Sequence, residues 1–294
     1  MLKGLRPQLS KSKTQPPMTA QELFENIKKK RSFLCVGLDT ELTKIPEHLL
    51  SKDDPMFEFN RKIIEATHDL AIAFKLNLAF YEVHGAAGWN SLFKTVKYLK
   101  THHPEILVIA DAKRGDIAST ARMYAKAYFH SLGCDAVTVS PYLGQDSVVP
   151  YLKYDGKWTI LLAITSNESF SDFQLLENKQ TGHFLFEDVI LKSIHWGSDA
   201  NMMFVVGATH PEHFATVRKH APHHFLLVPG IGEQGGSLQN VAENGMNQHC
   251  GLIVNSSRGI IYADITGNFT SEARKRALRL QQEMEFLLKQ KGLI

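Results

Sequence analysis

The chain has 294 residues, of which 44% are hydrophobic and 21% charged, a globular composition that excludes disordered, collagenous and coiled-coil classes. Thirty-three Lys plus Arg against 30 Asp plus Glu leave a formal charge of +3, too small for a surface that wraps nucleic acid, so any anion site is local. Three widely separated cysteines, Cys35, Cys134 and Cys250, exclude a disulfide framework and a CxxC metal site and fit a reducing cytoplasm.

In chain order, the first segment, MLKGLRPQLSKSKTQPP, carries Lys3, Arg6, Lys11 and Lys13 without an acid and has no apolar stretch of secretory length. It reads as a flexible tail over 1–17 rather than an organelle-targeting peptide, ahead of one domain over 18–294. KKKR (28–31) reads as the basic end of a helix rather than a localisation or nucleic-acid patch. Eight apolar runs then follow: FLCVGL (33–38), AIAFKLNL (71–78), ILVIAD (106–111), AVTVS (136–140), TILLAIT (159–165), MFVVGA (203–208), FLLVPG (225–230) and LIVNSS (252–257). They are continuous rather than alternating, as strands buried on both faces require.

Helical candidates lie between them at 58–69, 116–131, 183–195 and 237–244, and a last one at 271–290. The last carries Ala273, Ala277, Leu280, Met284 and Leu287 on one stripe, with Ser271 as its expected N-cap. Eight strand and helix pairs predict an α/β fold, a single (β/α)8 TIM barrel with a short N-terminal extension, with an open doubly wound sheet as the alternative. The long polar interval 166–184 reads as a loop or lid over a site. No run reaches 18 consecutive apolar residues, so no membrane span is expected.

Alternation along AIAFKLNL points Lys75 and Asn77 into the barrel. In IADAKRGD, Asp111 and Lys113 share a face at the strand's C-terminal end and Asp116 follows in the loop or first helical turn. Buried charges persist only when paired, so Lys75, Asp111, Lys113 and Asp116 are expected as a network of alternating sign on the catalytic rim; Asp39 falls on the same rim, and reads equally as a helix N-cap or turn residue. A structural ion-pair plug is the competing reading. After the seventh run, PGIGEQGG (229–236) offers backbone N–H groups and Gln234 to an anion. After the eighth, NSSRG offers Ser256, Ser257 and the fork of Arg258. A barrel commonly binds phosphate after strands 7 and 8.

These strings together, GLDT (37–40), FKLNLAFYE (74–82), DAKRGDI (111–117) with Thr120, TSN (165–167), PGIGEQGG and NSSRGI (255–260), resemble the orotidine 5′-phosphate decarboxylase family, and within it the longer bacterial group. The resemblance implies a cytoplasmic lyase that converts orotidine 5′-monophosphate to uridine 5′-monophosphate and CO2 in pyrimidine biosynthesis. It further implies no cofactor, no metal, no nucleic acid or membrane partner, and a homodimer. It makes Lys113 the acid that protonates C6, Asp111 the carboxylate beside the departing CO2 and Lys75 the link from Asp111 to the ribose hydroxyls. Asp39 becomes a ribose ligand and Ser166 the pyrimidine-recognition residue. Gly232, Gln234, Gly235 and Arg258 fall at the phosphate. Asp116, Ile117 and Thr120 match residues supplied by a second subunit. Glu168 and Glu233 depart from the family pattern.

Two other readings compete: a Mg²⁺-dependent DxKxxD barrel acting on a phosphosugar, such as a 3-keto-gulonate-phosphate decarboxylase or hexulose-phosphate synthase, and a noncatalytic nucleotide-binding module. The RGD at 114–116 reads as a chance string, and His220, His223 and His224 as loop residues rather than metal ligands.

Overall fold

A computed structural model describes residues 18–232 and 235–294. The tail expected over 1–17 lies outside the described residues. The chain enters through α1 (Ala20–Lys30), which has a capping box at Thr19 and Glu22 and ends on Lys28, Lys29 and Lys30. That is the helix end read from KKKR, with three cations facing the negative pole of the dipole.

Strand and helix then alternate. The first half runs β1 (Leu34–Gly37), α2 (Glu47–Leu50), α3 (Pro55–Thr67), β2 (Ala73–Asn77), α4 (Ala79–Glu82), α5 (Gly85–His102), β3 (Leu107–Arg114), α6 (Ala118–Lys126) and β4 (Ala136–Val139). The second half runs α7 (Gln145–Leu152), β5 (Trp158–Ile164), α8 (Leu185–Ser193), β6 (Met202–Val206), α9 (Phe214–His220), β7 (Leu226–Val228), α10 (Leu238–Gly245), β8 (Leu252–Ser256), α11 (Arg258–Ile261) and α12 (Phe269–Gln290).

All neighbouring strands are parallel, and β1 pairs β8 at Leu34 and Val254, which closes the barrel and rejects the open sheet. Each apolar run of the sequence falls on one strand. The runs are buried because their inward side chains fill the barrel and their outward ones meet the helices.

Three boundaries differ from the sequence reading. α3 starts at Pro55, because Asp54 accepts the Phe57 N–H at 3.1 Å and proline suits the first helical turn. α6 begins after Asp116 and passes into a π turn over Ala127–Leu132. α12 starts at Phe269 with Asn268 as N-cap, so Ser271 lies inside the helix and donates to the Asn268 carbonyl at 2.9 Å. The buried Phe269 ring, stacked on Phe59 at 5.4 Å, draws the helix back by two residues. Gln281 joins the buried stripe of α12 and donates to the Arg31 carbonyl at 3.1 Å. The 166–184 interval is a loop holding a 3-10 turn, Glu168–Asp172, and an isolated bridge between Glu177 and Phe184. Among the described residues no helix is long and apolar enough to cross a membrane.

Candidate active site

At the C-terminal ends of the strands lies a cavity of about 410 Å³, lined by Asp39, Lys75, Asn77, Asp111, Lys113, Ser166 and Arg258 among others. That volume suits a ligand of nucleotide size. Lys75 projects inward from β2, and its Nζ stands 3.3 Å from Asp111 Oδ2 and 3.6 Å from Asp39 Oδ1. Lys113 Nζ stands 2.6 Å from the other oxygen, Asp111 Oδ1. The charges therefore run Asp39, Lys75, Asp111, Lys113, alternating in sign. Lys75 and Asp111 are buried, whereas the Lys113 side chain is half exposed.

Electrostatics follow from that order. Burial alone would raise the Asp111 carboxyl, but the ammonium groups of Lys75 and Lys113 outweigh it and hold its pKa at about 2. Burial would likewise lower Lys75, yet Asp39 and Asp111 overcome this and its pKa is raised. Both groups are ionised at neutral pH. Asp39 Oδ1 is buried and finds no hydrogen-bond donor among the described residues, which suits an oxygen awaiting a ligand hydroxyl.

Local backbone explains how Lys113 reaches the cavity. The pairing of β3 with β4 shifts register between Ala110 and Arg114, and Lys113 takes φ +46, a left-handed conformation rare outside glycine. An irregularity of this kind re-aims a side chain at a strand end. Two tyrosines steady the loop that carries Asp39. Tyr81 donates to the Leu38 carbonyl at 2.8 Å, and Tyr262 donates to the Asp39 carbonyl at 2.9 Å while accepting the Glu41 N–H at 2.6 Å.

Ser166 opens onto the cavity just past β5. The preceding Thr165 is clasped by Gln174 from the 166–184 loop, which accepts its N–H at 2.9 Å and donates to its hydroxyl at 2.8 Å. After β7, Gly230, Gly232 and Gly235 have φ of +100, +84 and +84, the turns that the glycine string supplies. A Cβ on Gly236 would stand 2.6 Å from Ala208 Cβ and 2.7 Å from the Gly230 carbonyl oxygen, so only glycine fits there. Gly230 and Ile231 line the cavity, whereas Gly232 and Gly235, in the same turn, are not among its lining residues. Gln234 and Glu233 lie outside the described residues. Arg258 lines the cavity from the first turn of α11.

Three predicted residues lie elsewhere. Asp116 accepts the Ile117 N–H at 2.8 Å and does not line the cavity, and Ile117 and Thr120 are exposed. Within one chain, the expected network of Lys75, Asp111, Lys113 and Asp116 therefore closes through Asp39 instead of Asp116. The loop after β3 turns the Asp116 carboxylate back onto its own backbone. Sequence reasoning passed over Thr138, Asn255 and Tyr262. Thr138 was visible in principle, as a hydroxyl between two valines in a buried run. Of the histidines, His220 lies 3.0 Å from Glu187 and His224 packs on Phe204, both away from the cavity. Glu168 is exposed in its 3-10 turn.

A family model described as "Orotidine 5'-phosphate decarboxylase / HUMPS family" matches residues 32–274. A Phocaeicola vulgatus protein named orotidine 5′-phosphate decarboxylase is 58% identical over 271 residues, covering 92% of this chain and 99% of that one. The protein of that name from Flavobacterium johnsoniae is 54% identical over 274 residues, covering 93% and 100%. Among solved structures, Leishmania donovani OMP decarboxylase matches with a TM-score of 0.78 at 36% identity, covering 92% of this chain and 98% of that one. The UMP synthase of the same organism matches with a TM-score of 0.80 at 37% identity, covering 90% of this chain and 55% of that longer one.

Proposed function

The chain belongs to the orotidine 5′-phosphate decarboxylase / HUMPS family, and from that premise we propose how its residues decarboxylate orotidine 5′-monophosphate to uridine 5′-monophosphate and CO2 in pyrimidine biosynthesis. The observation that carries the reading is the Lys113 ammonium held 2.6 Å from Asp111 at the mouth of the barrel.

Breaking the bond between C6 and the carboxylate leaves an electron pair in an sp² orbital with no adjacent π system to accept it. A fixed cation must stand where that charge develops. Lys113 is that cation. It stabilises the forming carbanion, then transfers a proton from Nζ to C6 as CO2 departs, and solvent restores the ammonium. Asp111 orients it and disfavours a second carboxylate nearby in the ground state. One charge pair at about 4 Å and an effective dielectric near 20 is worth about 4 kcal/mol, short of the ~8–23 kcal/mol that enzymes supply. The balance comes from remote binding energy. Arg258 and the glycine turn grip the phosphate, Asp39 and Lys75 hold the ribose hydroxyls, and Ser166 reads the pyrimidine edge. Gly232, Gln234 and Gly235 complete the phosphate loop.

The reading includes one catalytic domain over 18–294, acting without a cofactor in the cytoplasm, where Cys35, Cys134 and Cys250 stay free and buried. It also includes a homodimer in which Asp116, Ile117 and Thr120 of each copy complete the other's site. Exposed apolar side chains on the connections after β2, β3 and β4 favour such a contact, namely Val83, Ile117, Met123, Tyr142 and Leu143.

Loss of orotidylate absorbance, followed in EDTA-treated buffer, tests the reaction. Wild type should turn over fully, and Lys113→Ala should lose about 10³-fold or more in kcat. Activity abolished by EDTA points instead to a metal-dependent phosphosugar barrel. A Lys113→Ala enzyme within about tenfold of wild type removes the lysine's role.

A further inference from the structure

Lys113 holds a left-handed backbone, φ +46, where β3 loses register with β4. Such a conformation persists only when its surroundings over-determine it, and a bulged residue has lost its regular ladder partner. Here the displaced N–H has found a side chain. Lys113 N donates to Thr138 Oγ1 at 2.9 Å. The Thr138 hydroxyl spends its one proton on Asp111 Oδ1, also at 2.9 Å, and that oxygen receives Lys113 Nζ at 2.6 Å. The circuit is closed: backbone of Lys113 to Thr138, Thr138 to Asp111, Asp111 to the ammonium of Lys113. Thr138 is buried between Val137 and Val139, in a strand where an aliphatic side chain is the ordinary choice. A hydroxyl buried there is unfavourable unless both its hydrogen-bonding capacities are used, and both are.

We propose that Thr138 is a positioning residue for the decarboxylation, its hydroxyl fixing the bulged backbone of Lys113 and the rotamer of Asp111 together so that ammonium and carboxylate meet the substrate in one geometry. The inference rests on the roles given above to Lys113 and Asp111, and adds a residue on a third strand that touches neither phosphate nor ribose in that reading. Without the hydroxyl, Lys75 and Lys113 still pair with Asp111, but the N–H under the ammonium loses its side-chain acceptor and the carboxylate loses the one donor that ties it to that backbone.

Thr138→Val keeps the shape and deletes the hydroxyl, whereas Thr138→Ser keeps the hydroxyl and deletes a methyl. The valine enzyme should lose about 10- to 100-fold in kcat, with KM for orotidine 5′-monophosphate and affinity for uridine 5′-monophosphate within about threefold of wild type. The serine enzyme should recover to within about threefold of wild-type kcat. A role in packing alone gives the opposite order, because valine fills the space and serine leaves a void. A valine enzyme at or above the serine enzyme in kcat overturns the inference. Should the valine chain not fold, Thr138→Ala against Thr138→Ser makes the same comparison of one hydroxyl. Lys113→Ala is assayed alongside. If it is dead while Thr138→Val matches wild type, only the role of Thr138 falls; if it stays active, the reading of Lys113 falls with it.

Discussion

Asp111 is the residue on which the other charges of the site depend, since its two oxygens separately meet Lys75 and Lys113. Its native pKa of about 2 lies below the ordinary 3.8 of an aspartate, so its ionised form is favoured by folding. The sign of the linkage follows. The unfolded chain binds this proton first as pH falls, so the contribution is fully present above about pH 4 and is lost as pH approaches 2. Its size is about 2 kcal/mol at roughly 1.4 kcal/mol per unit. Asp111→Asn should therefore lower unfolding free energy near pH 6, and its gap from wild type should close as pH falls toward 2. Urea unfolding of both proteins across that range measures the gap. A gap that stays constant with pH means that ionised Asp111 is not what the two lysines hold. Lys75 behaves with the opposite sign: its raised pKa gives stability that is complete at neutral pH and is lost only in strong alkali.

At the scale of elements, the pairing of residues two apart was legible because strands alternate, and Lys75, Asp111 and Lys113 do meet on the inward face. What alternation does not show is the irregularity at Lys113. Its left-handed φ and the lost register depend on β4, sequence-distant from β3, and so does the hydroxyl of Thr138 that accommodates them. The loops divide in the same way. Glycines in PGIGEQGG mark backbone free to approach an anion, and positive φ at Gly230, Gly232 and Gly235 is local chemistry. The reason for Gly236 is not local, because its missing Cβ makes room for Ala208 and the Gly230 carbonyl. Gly236→Ala forces these backbones apart and should weaken uridine 5′-monophosphate binding about tenfold, or about 1.4 kcal/mol, while leaving uridine affinity unchanged. Calorimetric titration with both ligands checks this, and equal effects on the two would show that the turn serves the nucleoside rather than the phosphate. Tyr262 escaped sequence reasoning because it joins α11 to the loop after β1 across most of the chain's length.

For the whole molecule, barrel closure was readable from eight buried runs, whereas the proposed dimer rests on residues that one chain leaves outside its own cavity. Asp116, Ile117 and Thr120 stand outside the cavity of their own chain, although Asp116 follows Lys113 by only three residues. In the homodimer proposed above, a two-fold axis would set the same loop of a second copy against each cavity mouth, so that the repeated loop serves the neighbour's site. The consequence is complementation. Lys113→Ala and Asp116→Ala should each be nearly inactive as pure dimers. In a mixed dimer, one site combines both lesions and the other combines an intact Lys113 with the neighbour's intact Asp116. Random pairing of equal amounts makes half the dimers mixed, so activity should recover to roughly a quarter of wild type per protomer. Co-expression with two different affinity tags isolates the mixed dimer and raises the expected value to about half. A tagged mixed dimer with no more activity than its parents would place Asp116 outside the neighbour's chemistry and leave each barrel to work with its own residues.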